Sequence, residues 1–388
     1  MEYKTNHRSK IILGIIIIIL LLIFAFILID GSSSPKNPVT ITTTPSPATS
    51  TTPIDHHPIA PPTVIATGLK IPWDIAFLPD ESLLVTERAG NLVHIEKNGN
   101  KTSIKLPHSV QKGEGGLLGI ALHPDFKNNQ FLYLYMTIEN SVSSTKNTVF
   151  RYRYENGILS DEKIIISNIP GALYHDGGRL GFGPDGFLYI TTGDAQTPAI
   201  AQDLKSLGGK ILRLKDDGNI PSDNPFGTAV YSYGHRNPQG LAWDNEGRLW
   251  STEHGRSGET SGMDEINIIE KGKNYGWPTI EGDSTANAME TPILNSGAKV
   301  TWAPASALYL KGSLFFGGLL GESLYEAVLD NGQVKELRSH FHNTYSRIRT
   351  VRLGLDGMLY ITTSNRDGRG KPVENDDRII KIDPRSLK

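Results

Sequence analysis

The feature that most constrains this chain is a strand-turn-strand unit that recurs six times. "WDIAFLPDESLLVTE" begins at Trp73, "LLGIALHPDFKNNQFLYLYM" at Leu117 and "GRLGFGPDGFLYITTGD" at Gly178. "PQGLAWDNEGRLWSTEHG" begins at Pro238, "PASALYLKGSLFFGG" at Pro304 and "RTVRLGLDGMLYITTS" at Arg349. Each is an apolar strand, a polar turn with Asp, Asn or Gly, and a second apolar strand, the pattern of an antiparallel pair. The units lie roughly 45 to 65 residues apart, a period that belongs to radial repeats. Blades of four strands arranged around a channel leave little exposed edge, which removes the main hazard of a long all-β chain. The expectation is an all-β, six-bladed β-propeller of four-stranded antiparallel blades over residues 63–388. The early "TVIATGL" pairs with the late "DDRIIKIDP" to close the ring. Two β-sandwich domains are the competing arrangement, but no linker-like break interrupts the repeats, and no long amphipathic helix is evident.

The first thirty residues are a separate object. Ile11 to Ile29 is an unbroken apolar run, preceded by Lys4, Arg8 and Lys10. At roughly 1.5 Å per helical residue it is long enough to cross a membrane, and the basic flank keeps the N-terminus cytoplasmic. No small-x-small site closes it. The expectation is an uncleaved signal anchor over 1–30, with a cleaved export signal as the alternative; either places the rest of the chain outside the cytoplasm. Residues 31–62 are rich in Ser, Thr and Pro with few large apolar side chains. Such a segment cannot bury enough surface to fold and reads as a tether.

Composition excludes some chemistry. Cysteine is absent, so thiolate metal sites, disulfides and cysteine nucleophiles are ruled out. A formal net charge of -2 argues against a nucleic-acid partner, which would call for a basic excess.

Sites in a repeat ring sit where loops depart from the repeat, and four loops do. "YHDGGRL" places His175 among glycines, nineteen residues before Asp194. A carboxylate there can take one ring N–H and leave the other nitrogen as a proton acceptor, or the pair can be a turn aspartate beside a structural histidine. "YSYGHRNPQGL" carries Arg236 and Asn237, which suit an anionic ligand with carbonyl or carboxylate oxygens, or form a surface loop. "TEHGRSGETSGMDEINIIEKGKNYGWP" holds Asp264 and Glu265 near several glycines. Hard oxygen donors on a flexible loop suit calcium, and a solvated acidic turn is the alternative. "YSRIRTV" sets Arg347 and Arg349 on one side of a strand, where they either share an anion or form a solvated edge.

With "EGGLLGIALHPDF" (Glu114 to Phe126) ahead of them, these loops in this order resemble the glucose/sorbosone dehydrogenase family, in particular its aldose sugar dehydrogenase branch. The resemblance covers about Val64 to Asp383. It implies a dehydrogenase that oxidises the anomeric carbon of an aldose to a lactone, using pyrroloquinoline quinone (PQQ) and calcium. His175 would be the general base, oriented by Asp194. Arg236 and Asn237 would polarise the quinone, and Arg347 and Arg349 would grip its carboxylates. Glu265 and the backbone of Tyr275 match calcium ligands, with Gly255 and Arg256 as nearby carbonyl donors and Asp264 beside them. Glu114, a candidate cofactor contact, stands where many relatives have a glutamine that can donate to the quinone; an ionised glutamate cannot, so it would be protonated, turned away or near the calcium. Thr350 stands where the family often has aspartate. "FFGGLLGESLY" lacks the lysine of the specialised glucose enzymes, which favours the broader aldose branch. No haem-attachment motif is present, so electrons would leave to an external acceptor. A calcium-dependent propeller hydrolase, lactonase-like, and a non-catalytic sugar-binding propeller are the alternatives.

Overall fold

The computed structural model describes residues 58–141, 144–258 and 261–387. The signal anchor and most of the tether lie outside them. No helix among the described residues is long and apolar enough to cross a membrane.

Six four-stranded antiparallel sheets follow one another along the chain. Their innermost strands are Pro72–Phe77, Leu117–Leu122, Leu180–Phe182, Pro238–Trp243, Pro304–Leu310 and Ile348–Leu353, which define blades 1 to 6. The sixth blade is completed by the first strand, Thr63–Ala66, which pairs antiparallel with Ile379–Ile382. The ring therefore closes as the sequence suggests, and the two-sandwich arrangement is set aside. Helix is confined to short turns such as Phe126–Asn129 among the described residues.

The blades form because period-2 apolar patterns bury both faces of the inner strands against neighbouring blades. Each blade interface has its own apolar cluster. Leu84, Leu117 and Leu134 join blades 1 and 2, Tyr135, Leu180 and Ile190 join 2 and 3, and Ile211 and Leu241 join 3 and 4. Trp250 with Phe316, Phe315 with Ile361 and Ile379 with Val85 complete the circle. The ring thus has six small cores rather than one.

Hydroxyls on the first and second strands stitch the blades further. Thr252 Oγ1 donates to the Ala305 carbonyl at 2.7 Å, Ser306 Oγ to Val351 at 3.1 Å and Thr350 Oγ1 to Trp73 at 2.6 Å. Thr350, which stands where the family often has aspartate, is therefore a tie between the last and first blades. Five innermost strands carry a register shift against their neighbour. Bulges of this kind re-aim side chains toward the channel.

Antiparallel order puts the loops that enter each innermost strand on the same end as the loops joining second to third strands. All four loops singled out in the sequence open on that end.

Candidate active site

His175 lies in the loop that enters blade 3 and has φ of 67°, a left-handed conformation that ordinary residues adopt at a cost. Its neighbours hold it there. The carbonyl of His175 accepts from Ala195 N at 3.2 Å, and its N–H donates to Glu114 Oε2 at 3.1 Å. Gly193 permits the approach, since a Cβ there would stand 1.9 Å from the His175 carbonyl oxygen.

The side chain is fixed as well. His175 Nδ1 lies 2.7 Å from Asp194 Oδ1. Asp194 is fully buried and also accepts from Gln196 N at 2.9 Å and Trp277 Nε1 at 2.8 Å. An ionised carboxylate only accepts, so Nδ1 carries the proton and Nε2 is the free acceptor. The side chain of His175 keeps 16% of its exposure, enough for Nε2 to meet a substrate.

Glu114 is ionised and engaged. Burial works against its charge, but Arg369 and the His175 N–H outweigh it and hold its pKa below the usual value. Its second oxygen accepts from Arg369 Nη1 at 2.7 Å. The glutamate in place of glutamine thus faces a cation and the base's own main chain.

Blade 4 contributes the next group. Arg236 donates to the His254 carbonyl at 3.3 Å and to Ser257 Oγ at 3.2 Å, and its guanidinium lies 5.3 Å from the Trp277 ring centroid. Burial lowers its pKa. Asn237 Oδ1 accepts from Gly177 N at 3.0 Å, tying this loop to the histidine loop. Both backbone N–H groups of Arg236 and Asn237 donate to Glu253 Oε1.

Arg347 and Arg349 are both buried, which excludes the solvated edge. Arg347 donates to Asp367 Oδ2 from Nε at 3.1 Å and Nη2 at 2.8 Å, and to the Leu319 carbonyl at 3.0 Å. Arg349 reaches only Ser364 Oγ and Gln239 Oε1, at 3.3 and 3.2 Å.

The acidic loop resolves into two kinds of residue. Asp264 accepts from Gly255 N at 2.8 Å, Trp302 N at 2.6 Å and Ala303 N at 2.9 Å, so it fastens three stretches of loop together. Glu265 lines a small cavity with Glu253, Gly255, Tyr275 and Glu281. Burial first, then Glu253, pushes its pKa up to about 8. Two carboxylates crowded in a buried space favour a proton or a cation between them. Glu265 already accepts from Gly282 N and Asn267 Nδ2. The Tyr275 ring stacks on His235 at 4.8 Å, and its hydroxyl is spent on the Ile268 carbonyl; only its backbone carbonyl is left as a donor. Arg256 pairs with Glu281 at 3.4 Å. No group of three or more His, Asp or Glu side chains poised for a metal occurs among the described residues. Any ion here would depend on backbone carbonyls.

Sequence reading missed three side chains. His254 is neutral, pushed down to about 3 by burial and the nearby arginines. Trp277 lies between Asp194 and Arg236. Arg88, in "TERAG", is buried beside Asp367. None had a local signal, because each also meets residues of another blade: His254 the charges of Glu114 and Arg349, Trp277 the Asp194 carboxylate and Arg88 the Asp367 carbonyl.

A partly buried histidine with an orienting carboxylate, near a group of buried guanidiniums at one end of a propeller, is a site suited to proton transfer beside an anionic ligand. Comparison with known proteins makes the family definite. Residues 69–373 match the glucose / sorbosone dehydrogenase family, and the chain belongs to it. It is 33% identical over 360 residues to the aldose sugar dehydrogenase YliI of Escherichia coli strain K12, covering 83% of this chain and 92% of that protein. It is 37% identical over 254 residues to quinoprotein glucose dehydrogenase B of Acinetobacter calcoaceticus, covering 56% of this chain and 52% of that one. Among solved structures, the PQQ-bound form of an aldose sugar dehydrogenase from Streptomyces coelicolor matches with TM-score 0.77 and 38% identity, over 84% of this chain and 99% of that one.

Proposed function

We propose that this protein oxidises the anomeric carbon of aldose sugars to lactones, with PQQ as hydride acceptor, calcium beside it and an external carrier taking the electrons. The observation that carries the reading is His175: its Nδ1 is held by buried Asp194 and its Nε2 is free, in a cleft walled by buried arginines. The donor set fits PQQ, a planar tricarboxylate. Arg236 and Asn237 lie on one side, Arg347 and Arg349 on another, and the Glu253–Glu265 pair provides a place for a divalent cation. When bound, the quinone supplies an electron-pair sink that no side chain offers.

The residues of the chain do the rest. His175 Nε2 takes the proton of the anomeric hydroxyl, and Asp194 stabilises the imidazolium that results. Arg236, a buried guanidinium, would stabilise negative charge on a quinone bound beside it. Glu265, with the carbonyls of Gly255 and Tyr275, would hold the metal.

We place this domain outside the cytoplasm, tethered by the apolar run Ile11 to Ile29 and its basic flank. The full chain should fractionate with membranes; recovery as a soluble protein beginning near Gly31 would show cleavage instead.

The test of the activity is reconstitution. Chelated protein should reduce an artificial dye with glucose only after calcium and PQQ are both restored. Sugar oxidation by chelated protein, or by protein given only NAD, would sink the proposal.

A further inference from the structure

The three arginines around Asp367 are not equivalent. Arg347 directs two groups at the Asp367 carboxylate and one at the Leu319 carbonyl. Arg349 lies no closer than 3.8 Å to Asp367 Oδ2 and otherwise reaches two neutral oxygens. Arg88, at the end of the second strand of blade 1, is only 6% exposed. Among the described residues, its side chain makes one hydrogen bond, a 3.3 Å donation from Nη2 to the Asp367 main-chain carbonyl. Its buried Nε meets no acceptor, and no carboxylate of the described residues lies within ion-pair distance of it. The conformation that buries it depends on Gly116, with φ of 152°, where a Cβ would stand 2.8 Å from Arg88 Cγ and 2.0 Å from its carbonyl oxygen.

Charge counting leads the same way. Arg88, Arg347, Arg349 and Arg369 interact with one another and with two carboxylates, Asp367 and Glu114. Asp367 is taken by Arg347 and Glu114 by Arg369. Burial lowers the pKa of Arg88, and burial with the like charges of Arg88 and Arg347 brings Arg349 down to about 9. Unpaired buried charge is costly, so two open guanidiniums in one cleft call for anionic oxygen from outside the chain.

We propose that Arg88 and Arg349 are the guanidiniums that grip a carboxylate of the anionic cofactor, and that Arg347 is a positioning residue which, through Asp367, holds the floor of that grip. This departs from the pairing of Arg347 with Arg349 that the resemblance implies. It rests on the quinone reading above. Arg88 reaches the cleft from blade 1 and Arg349 from blade 6, so binding would also clasp the first and last blades where the ring closes.

The test is equilibrium binding, read by quenching of tryptophan fluorescence in the full-length protein with calcium present. Two probes are used: PQQ, and benzene-1,2,4-tricarboxylate, which has the carboxylates without the quinone. Arg88→Gln should weaken both by about 10- to 100-fold, the usual worth of charge-assisted hydrogen bonds. Its unliganded melting temperature should hold or rise, because an unpaired buried charge is gone. Arg88→Lys keeps the charge without the fork and should fall between the two. Arg347→Gln strands Asp367, so its melting temperature should drop more than its affinity does. Binding by Arg88→Gln within twofold of wild type overturns the proposal; if that variant does not fold, wild-type affinity in Arg88→Lys overturns it. Arg347→Gln losing more affinity than Arg88→Gln with unchanged melting also overturns it. Wild-type protein that binds the tricarboxylate through Arg88 but not PQQ would overturn the quinone reading and leave the grip standing. Wild-type protein that binds neither would end both.

Discussion

Two groups of arginines, all buried but the partly exposed Arg352, differ in how their charge is met. In mid-channel, Arg179 and Arg352 each have an Asp74 oxygen within 2.7 Å. Arg179 also donates to the Gln239 carbonyl and lies 4.2 Å from the Trp73 ring centroid. Burial works against the Asp74 charge, but the two arginines outweigh it and lower its pKa. At the loop end, Arg88 and Arg349 have no carboxylate closer than 3.8 Å. The first group ties blades 1, 3 and 6 to each other. The second is left incomplete by the chain itself. Residues of the closed group should therefore answer to stability, and residues of the open end to ligand and turnover.

The largest effect should come from the open end. General-base catalysis is worth about 10²–10⁴-fold, so His175→Ala should lower turnover by that factor with its melting temperature little changed. Asp194→Asn keeps the imidazole but loosens its orientation, and its loss should be smaller. Turnover and PQQ affinity measured for both variants decide it. Loss of cofactor with near-normal turnover at saturating quinone would make His175 a binding residue and blur the contrast.

The closed group should break differently. Asp74→Asn leaves fully buried Arg179, and partly exposed Arg352, facing a neutral amide. Removing one partner of such a pair costs about 3–5 kcal/mol. A denaturant titration should show that loss as a lower midpoint, while turnover per folded molecule stays near wild type. A midpoint within error of wild type would mean the mid-channel contacts carry no net stability.

A third carboxylate lies between these cases. Asp176 follows the base, is fully buried, and accepts from Asn147 and Ala172 through Oδ1, while Oδ2 has no partner. Burial, with Glu114 adding to it, pushes its pKa up to about 7 from 3.8. A raised carboxyl pKa means the folded state holds a proton the unfolded state has lost. Its contribution is full below about pH 4 and is lost as pH rises through about 7, at roughly 1.4 kcal/mol per unit. Asp176→Asn mimics the protonated form and should flatten that slope, with a gain of up to about 4 kcal/mol above pH 7. Unfolding free energy measured from pH 4 to 8 in both proteins tests it; parallel curves would place the Asp176 pKa near its ordinary value.

How much of this was legible beforehand follows from range. The blades were, because alternation and turn chemistry are local, and His175 with Asp194 was, because both lie in one repeat. The resemblance supplied the order of the other loops. Arg88 was not legible: "TERAG" reads as a strand end, and its surroundings come from blade 6. Asp74 meets Arg352 across 278 positions and Glu114 meets Arg369 across 255, distances at which composition and spacing carry no signal. Asp264 and Arg347 have the right types in the right loops. Only the structure shows how many of their hydrogen bonds go to the chain's own groups: the Asp367 carboxylate and Leu319 carbonyl for Arg347, and three backbone N–H groups for Asp264.

The smallest expected effect probes the seam between scaffold and site. Arg369 is 54% exposed in its side chain and pairs with Glu114 at 2.7 Å. It also lies 5.3 Å from the ring centroid of Tyr174, the residue before the base. Solvent screens a pair so open, and such contacts are worth about 0–1 kcal/mol. Arg369→Ala should therefore leave melting nearly unchanged. Glu114 would remain on the His175 N–H but lose its strongest counter-charge, so its pKa should rise. The base's loop would be held less firmly at lower pH. Turnover should fall up to about fivefold, with the loss growing as pH drops and Glu114 protonates. Glu114→Gln should show the same loss without that pH dependence, because it cannot titrate. An Arg369→Ala deficit that stays constant across pH would remove Glu114 from the account and leave Arg369 acting through Tyr174 alone.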